Sequence, residues 1–193
     1  MCEVMDELDI EGETIGVAPV GCSVISYDFF GCDMIEAPTA APAVATAVKR
    51  VHPDKVVFAY QGDGDLASIG MAETVHAATR GENITIIFIN NAIYGMTGGQ
   101  MAPTTLLGQK TATCPYGREA DLHGYPLNIT ELASHLQGTC YVTRQSVETV
   151  ASIKKARRLS ARRSRQACEG KAPGLVEIVY YLQQRLEDVA GSC

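Results

Sequence analysis

Acidic and amide side chains directly follow two apolar stretches of this chain. The residues QGDGD at 61–65 come after the apolar run 55–60, and two asparagines at 90–91 come after the run 84–89. Mg²⁺ binds carboxylate, amide and backbone carbonyl oxygens together with the phosphate oxygens of a ligand. The pattern therefore predicts a magnesium site facing a diphosphate, with side-chain oxygens from Asp63 and Asn91 and a backbone carbonyl from Ile93.

The glycines around Asp63 admit another interpretation. Residues 62–67 match G-x-G-x-x-A, a pattern of dinucleotide-binding folds. However, an aspartate between the glycines would repel a pyrophosphate unless a cation lay between them. The acidic residue expected after the second strand is instead Glu82, which precedes that strand. A metal-bridged diphosphate fits better, approached closely by the glycine backbone and by the N-terminus of a helix that begins near Asp65.

The hydrophobic pattern predicts the elements that position these residues. The continuous apolar runs 55–60 and 84–89 are typical of strands buried on both faces of a parallel sheet. Residues 66–78 between them have helical spacing of the apolar residues Ile69, Ala72, Val75 and Ala78. Further strands are predicted at 14–20, 141–147 and 175–182, and helices at 41–52, 129–136 and 147–169. This alternation predicts an α/β fold with a doubly wound, mainly parallel sheet and helices on both faces.

One long connection does not follow either period. Residues 90–121 are rich in glycine, threonine and proline, and they lie directly after the two asparagines. A connection of this length inside a compact domain is usually either functional or disordered.

Length and composition limit the class of protein. The 193 residues, of which 46% are hydrophobic and 20% charged, predict a single domain over 1–193. No apolar run is long enough to span a bilayer, and the acidic opening does not have the pattern of a secretory signal, so we expect a cytoplasmic protein without membrane contact. The seven cysteines are odd in number and form no CxxC pair, so they do not predict a disulfide framework.

The charge is distributed unevenly. Residues 1–144 carry 7 basic and 17 acidic residues, whereas 145–193 carry 9 and 5. The basic residues of the second part cluster on one predicted helix, as Lys154, Lys155, Arg157, Arg158, Arg162, Arg163 and Arg165. We expect a solvated helix face, with an acidic partner protein as the alternative. No aromatic residues are interleaved to stack on bases, so nucleic acid is not an expected partner.

Several stretches together resemble one enzyme family. They include GVAPVGCS at 16–23 and PAVATAVKR at 42–50, and the longer stretches are 60–78, 80–105 and 174–179. These residues are similar to the thiamine-diphosphate-binding (beta) subunit of 2-oxoacid:ferredoxin oxidoreductases, closest to the 2-oxoisovalerate and 2-oxoglutarate branch. The resemblance implies the thiamine-diphosphate-binding fold. It also implies oxidative decarboxylation of a 2-oxoacid to an acyl-CoA with reduction of ferredoxin.

The resemblance also implies roles for individual residues and partners. Asp63, Asn91 and the carbonyl of Ile93 would bind Mg²⁺, and Tyr94, Met96 and Thr97 would border the reacting centre. The cofactor-binding residues would be Gly21, Cys22, Gly62, Asp63, Gly64, Asp65, Asn91, Ile93, Tyr94, Thr97, Gly98, Gly99 and Gln100. A separate pyrimidine-binding alpha subunit would complete the site. We therefore expect a hetero-oligomer that uses coenzyme A and ferredoxin, or a homodimer when the chain is alone.

The chain departs from the family at its cluster ligands and before the predicted helix at 41–52. Cys22 matches a family position that ligates a [4Fe–4S] cluster, but the Cys-Pro-Gly-Cys of the N-terminal flank and the cysteine of the C-terminal flank have no counterpart. A His-Gly-Arg of the family is replaced by residues 38–41, PTAA. Cys22 could therefore be a free, partly buried thiol, with Cys32 a core residue. The protein could then be a non-redox thiamine-diphosphate-dependent decarboxylase subunit, or a truncated, non-catalytic cofactor-binding module.

Overall fold

A parallel sheet forms the centre of the molecule. The computed structural model describes residues 1–37, 40–168 and 173–180. Within these residues the six sheet strands are β1 Thr14–Pro19, β2 Asp33–Ala37, β3 Val56–Gly62, β4 Thr85–Asn90, β7 Tyr141–Ser146 and β8 Gly174–Val179. All neighbouring pairs are parallel, in the order β2-β1-β3-β4-β8-β7. A separate antiparallel hairpin consists of β5 Ile93–Tyr94 and β6 Gln100–Met101.

Helices cover the sheet on both faces, as predicted. They are α1 Cys2–Leu8, α2 Ala41–Val51, α3 Met71–Thr79, α4 Ala120–His123, α5 Ile129–Ser134 and α6 Val150–Cys168. Alternate residues of β3 face opposite sides, so that Val57 packs in one core cluster with α2, α3 and α5, while Phe58 packs in a second cluster with Met5 of α1. The prediction of a doubly wound α/β sheet is confirmed.

The predicted helix at 66–78 is interrupted. Residues Asp65–Ile69 form a π-helix, in which the Gly70 amide donates to the Asp65 carbonyl at 2.7 Å, and α3 begins only at Met71. The wider turn holds an extra residue and so rotates the helix face that is buried. Of the apolar residues predicted to be buried, Ile69 is 53% exposed and Ala72 is also exposed, whereas Ala78 is buried as predicted. The other buried residues of α3 are Thr74 and Ala77, which the prediction did not include.

The remaining boundaries and omissions concern mainly edge elements. The sequence did not predict α1, the edge strand β2, the 3-10 segment Cys22–Phe29 or the β5–β6 hairpin. The strand predicted at 175–182 ends at Val179 as β8, and residues 181–182 lie outside the described part of the chain. Pro38 and Thr39 of the substituted PTAA segment also lie outside it. No helix among the described residues combines the length and apolar character needed to cross a bilayer.

The basic helix is not solvated along its whole face. Six of its seven basic residues are exposed, but Arg163 is fully buried and donates to the Ile84 carbonyl at 3.0 Å. Its stem lies where a side chain on Gly174 would otherwise be, so Gly174 makes room for it. The expectation of a wholly solvated run is therefore wrong at Arg163. Arg157 and Arg165 pair with Glu3 and Glu7 of α1, which joins an acidic helix to a basic one.

Candidate functional site

The ends of β3 and β4 bring the predicted ligands together. The two strands are parallel neighbours, with Gly62 of β3 paired in register with Ile89 of β4. Asp63 and Asn91, which come directly after the two strands, therefore leave the sheet at the same edge. This edge lies beside the point where the strand order reverses, between β1 and β3, where open α/β sheets bind their ligands.

The three predicted metal ligands converge. The tip of the Asn91 amide lies 3.2 and 3.3 Å from the two Asp63 carboxylate oxygens and 2.9 Å from the Ile93 carbonyl oxygen. With nitrogen at this tip, its two N–H groups can donate to the Asp63 carboxylate and to the Ile93 carbonyl. With oxygen at this tip, the tip accepts from the Ile93 amide at 3.4 Å but faces three other oxygens, which is unfavourable unless a cation lies among them. Oxygens that share an octahedral Mg²⁺ at about 2.1 Å are about 3 Å apart, so the donor set fits Mg²⁺.

A left-handed residue shapes the second half of this set. Ala92 is fully buried and has φ of 62°, a conformation that non-glycine residues rarely adopt. Its amide donates to the side-chain oxygen of Asn90 at 3.1 Å. Ala92 turns the chain between Asn91 and Ile93, and the tip of the Asn91 side chain lies between the Ile93 carbonyl and the Asp63 carboxylate. The strain is local and lies at the candidate site.

Asp63 is a buried carboxyl with two neutral donors. It is 2% exposed, and its Oδ1 accepts from the Gly64 amide at 2.9 Å while its Oδ2 accepts from the Thr104 hydroxyl at 2.9 Å. Burial raises the pKa of Asp63 to about 6, although these hydrogen bonds favour the charged form and oppose the rise. A buried carboxylate with no basic partner among these contacts is well suited to binding a cation.

A second carboxyl lies on the first turn after Asp63. Asp65 is 5% exposed and accepts from the side-chain nitrogen of Gln61 at 2.6 Å. The pKa of Asp65 is raised to about 6, mainly by burial and also by the charge of Glu73, while the Gln61 hydrogen bond opposes the rise. Like Asp63, it lines the cavity at the end of the strands.

The cavity contains most of the predicted site residues. It encloses about 650 Å³ of empty space, including its open mouth. The described residues that line it are Val20, Gly21, Cys22, Ser23, Tyr60, Gly62, Asp63, Gly64, Asp65, Ile89, Asn91, Ile93, Tyr94, Gly95, Met96 and Thr97. None of these lining residues is Lys, Arg or His, and two are acidic. A diphosphate bound here would therefore need a cation to neutralise it.

Three predicted residues lie elsewhere. Gly98, Gly99 and Gln100 are absent from the described lining. Gly98 and Gly99 lie in the turn between β5 and β6, with φ of 112° and 83°, and Gln100 is the first residue of β6. Gln100 exchanges hydrogen bonds of 2.6 and 2.7 Å with Thr97 and so supports a residue that does line the cavity. Their contact with a cofactor stays a prediction.

The structure also explains one of the glycines. A Cβ at Gly64 would overlap the ring of Tyr94, so this glycine allows the ring to lie against the backbone. A Cβ at Gly62 would meet no atom within 4 Å and would extend into open space. Gly64 therefore packs against protein, whereas Gly62 leaves space free for a ligand.

The cysteines do not assemble a cluster site in the described residues. Cys22 is exposed, not partly buried as expected, and it lines the cavity as the first residue of the 3-10 segment. No group of three His, Cys, Asp or Glu side chains that could bind a metal occurs in the described ranges. These residues therefore do not fit a [4Fe–4S] cluster, which needs about four thiolates. Cys32 is half-buried and packs against the second core cluster, and burial raises its pKa to about 11.

Sequence reasoning missed Thr104 as a contact of Asp63. It lies in the aperiodic connection 90–121, and 41 residues separate it from its partner. The only available signal was the glycine-, threonine- and proline-rich composition of that connection, which indicated function without indicating a residue.

Comparison with known proteins gives a consistent result. Residues 20–177 match the family described as thiamine pyrophosphate enzyme, C-terminal TPP binding domain. The ketoisovalerate oxidoreductase subunit VorA of Methanothermobacter thermautotrophicus is 47% identical over 178 residues, covering 92% of this chain and 37% of that protein. The 2-oxoglutarate synthase subunit KorB of Methanocaldococcus jannaschii is 39% identical over 159 residues, covering 79% of this chain and 57% of that protein.

A solved structure shares the architecture. The 2-oxoglutarate:ferredoxin oxidoreductase from Magnetococcus marinus, with 2-oxoglutarate, coenzyme A and succinyl-CoA bound, aligns with a TM-score of 0.76 and 30% sequence identity. The alignment covers 92% of this chain and 58% of the solved chain. The present chain thus spans between about a third and three fifths of the proteins it matches.

Proposed function

Because this chain belongs to the thiamine pyrophosphate enzyme family and matches the C-terminal TPP-binding domain of that family, we propose that it is the cofactor-binding subunit of a 2-oxoacid:ferredoxin oxidoreductase. Thiamine pyrophosphate and thiamine diphosphate are the same compound. The relatives confirm the family resemblance of the sequence. The observation that carries the proposal is the convergence of Asp63, Asn91 and the Ile93 carbonyl beside a cavity whose described lining has no basic side chain.

The three oxygens would hold the cofactor through Mg²⁺. Asp63 supplies the negative charge, and Asn91 and Ile93 supply neutral oxygens, which leaves positions on the ion for diphosphate oxygens and water. Gly62 leaves the adjacent space open, so that the backbone can approach the phosphates. This chain's part in binding is therefore to fix the diphosphate end of the cofactor at the strand ends.

The residues beyond the diphosphate would surround the reacting end. Thiamine diphosphate supplies the nucleophilic carbon and the electron sink for decarboxylation when it is bound. Tyr94 packs on Gly64 and lines the cavity together with Met96 and Thr97. These side chains would border the thiazolium ring and limit the access of water to it.

Substrates and partners follow from the same proposal. A 2-oxoacid and coenzyme A would be the substrates, ferredoxin the electron acceptor, and an alpha subunit the source of the pyrimidine-binding half. The names of the relatives as subunits support a hetero-oligomer. We place the assembly in the cytoplasm, an assignment supported by the thiols of Cys2, Cys22, Cys32 and Cys114, which form no disulfide among the described residues.

One observation favours a second candidate. Because the described cysteines do not form a cluster site, a non-redox thiamine-diphosphate-dependent decarboxylase subunit would use the same cavity without electron transfer. Anaerobic reconstitution with iron and sulfide separates the two. Bound iron with visible absorbance supports the oxidoreductase, whereas a colourless, iron-free protein that still binds the cofactor supports the decarboxylase.

Calorimetric titration with thiamine diphosphate tests the shared premise. We expect binding in the presence of Mg²⁺ and none after chelation, and Asp63→Ala should abolish the magnesium-dependent binding because it removes the only charged ligand. Asp121→Ala is the matched control, since it removes an exposed carboxylate of α4. Unchanged affinity in Asp63→Ala would rule out the assigned ligand set.

A further inference from the structure

Two adjacent threonines reach the two halves of the candidate metal set. The Thr104 hydroxyl donates to Oδ2 of Asp63 at 2.9 Å, at the end of β3. The Thr105 hydroxyl donates to the Ala92 carbonyl at 2.5 Å, at the end of β4. Both threonines are buried, at 3% and 0% exposure. One short segment of the aperiodic connection thus contacts both strand ends.

Each contact restrains an atom that matters for the metal. Because Thr104 engages Oδ2 and the Gly64 amide engages Oδ1, the rotation of the Asp63 carboxylate is fixed. Thr105 holds the carbonyl of the left-handed residue between the other two ligands, and its own oxygen accepts from the Ala102 amide at 2.9 Å. A strained turn persists only where its surroundings restrain it.

A buried arginine fixes the segment that carries the threonines. Arg118 is 6% exposed and donates to three carbonyls of this segment, those of Ala102 at 3.3 Å, Pro103 at 2.9 Å and Thr105 at 2.8 Å. It also donates to the carbonyls of His123, Gly124 and Tyr125 at 3.3, 2.9 and 2.9 Å. All of these partners are neutral, and a guanidinium has the rigid donor geometry to hold two backbone segments together.

We propose that Arg118, Thr104 and Thr105 form a positioning clamp that sets the geometry of the diphosphate-binding metal site from outside it. Arg118 fixes the segment, Thr104 orients Asp63, and Thr105 holds the turn between Asn91 and Ile93. The metal in this inference rests on the proposed function, whereas the positioning of Asp63 and Ala92 does not. Residues that orient metal ligands usually affect affinity by tenfold to a hundredfold, although they do not touch the ion.

Amide hydrogen exchange, followed by NMR in the metal-free chain, tests the positioning without any cofactor. Thr104→Val should accelerate exchange at Gly64, whose amide is bonded to Asp63, by about tenfold, and should leave Ala92 unchanged. Thr105→Val should do the reverse, and Arg118→Met should accelerate both. Thr104→Ser and Thr105→Ser keep the hydroxyl and should behave as the unmodified chain.

This pattern distinguishes the clamp from general stabilisation. A purely structural role would accelerate amides throughout the fold, whereas the clamp predicts changes at two sites selected by the threonine removed. Equal exchange at Gly64 in the valine and serine variants of Thr104 would overturn the proposal. If Arg118→Met does not fold, the comparison of the valine and serine variants at Thr104 and at Thr105 still tests the clamp.

Metal affinity supplies the second readout. With thiamine diphosphate present, Thr104→Val should weaken Mn²⁺ binding, measured by electron paramagnetic resonance, by about tenfold or more, and Thr104→Ser should not. In the double variant Arg118→Met, Thr104→Val, the loss of Mn²⁺ binding free energy should be smaller than the sum of the losses in the two single variants, because both act through one contact. Additive effects would overturn the clamp. Absence of Mn²⁺ binding in the unmodified chain would reject the proposed function but leave the exchange test of the clamp intact.

Discussion

At the scale of single residues, the buried Asp63 carboxyl gives the metal-free protein a defined pH dependence. Its ordinary pKa is 3.8, and burial raises the folded-state pKa to about 6. Between these values the folded chain binds more protons than the unfolded chain at this site, so its contribution to stability falls as pH rises from about 4 to about 6. A shift of two units corresponds to about 2 to 3 kcal/mol.

We therefore expect Asp63→Asn to gain stability relative to the unmodified chain as pH rises. Urea unfolding with a chelator present, at acidic and neutral pH, measures the difference in the free energy of unfolding between the two proteins. The pH-dependent contribution of Asp65 cancels from this difference because both proteins retain it. The difference should grow between pH of about 4 and 6 and stay constant above about 7. A difference that does not change with pH would contradict an ionised, buried Asp63. Added Mg²⁺ should recover the lost stability only in the unmodified chain, because a ligand stabilises the state that binds it.

The two glycines that flank Asp63 should respond differently to alanine. Gly64→Ala places a methyl group in the ring of Tyr94, so we expect a loss of about 1 to 3 kcal/mol in urea unfolding. Gly62→Ala meets no atom within 4 Å, so stability should change by less than about 1 kcal/mol while cofactor affinity falls. Equal stability of the two variants would contradict the packing described for Tyr94.

The residues that the sequence predicted have one property in common. Asp63, Asn91 and Ile93 lie within four residues of the end of an apolar run, so their place at the sheet edge follows from the strand pattern. Thr104 and Arg118 could not be found in this way. Their contacts join positions that are distant in sequence, and their surroundings have no periodicity that would fix their direction.

At the scale of elements, a buried glutamate connects β8 to the strand end that carries the site. Glu177 is 1% exposed and accepts from the Asn90 side chain at 2.7 Å and from the Thr130 hydroxyl of α5 at 2.6 Å. It also pairs with Arg144 of β7 at 3.4 Å. Because Asn90 in turn accepts from the Ala92 amide, this network extends to the turn at the metal ligands.

Loss of this carboxylate should be costly. Glu177→Ala leaves the buried side-chain nitrogen of Asn90 without this acceptor and removes one acceptor of the half-buried Thr130 hydroxyl, so we expect a destabilisation of about 2 to 4 kcal/mol in urea unfolding. Glu3→Ala is the matched control, because its ion pair with Arg157 has side chains that are 75% and 45% exposed. Such a pair contributes less than about 1 kcal/mol. Similar losses in both variants would show that Glu177 has no special role.

Element types were predictable where the period was long and unbroken. The β3 and β4 strands and helix α2 follow directly from their apolar runs and helical spacing. The π-helix could not be predicted, since one extra residue in a turn leaves composition and propensity unchanged while rotating every later side chain. Arg163 was missed for a related reason. A run of basic residues indicates a solvated face, and only the space left by Gly174 shows that one member is buried.

At the scale of the whole molecule, the fold presents one end of a cofactor site. The described cavity lining supplies oxygen ligands and open space beside them, which suit a metal and a diphosphate. In the proposed function, the pyrimidine contacts belong to another subunit. The chain alone should therefore recognise the diphosphate and little else of the cofactor.

Competition between fragments of the cofactor tests this division. With Mg²⁺, inorganic pyrophosphate should bind the chain within about tenfold of thiamine diphosphate, and thiamine should bind at least about a hundredfold more weakly, because it cannot share the metal. Asp63→Asn should weaken both diphosphates equally, since both depend on the same ion. Addition of the alpha subunit should then strengthen thiamine diphosphate but not pyrophosphate. If thiamine binds the chain alone as tightly as thiamine diphosphate, the pyrimidine or thiazolium contacts lie within this chain and the site is not divided between subunits.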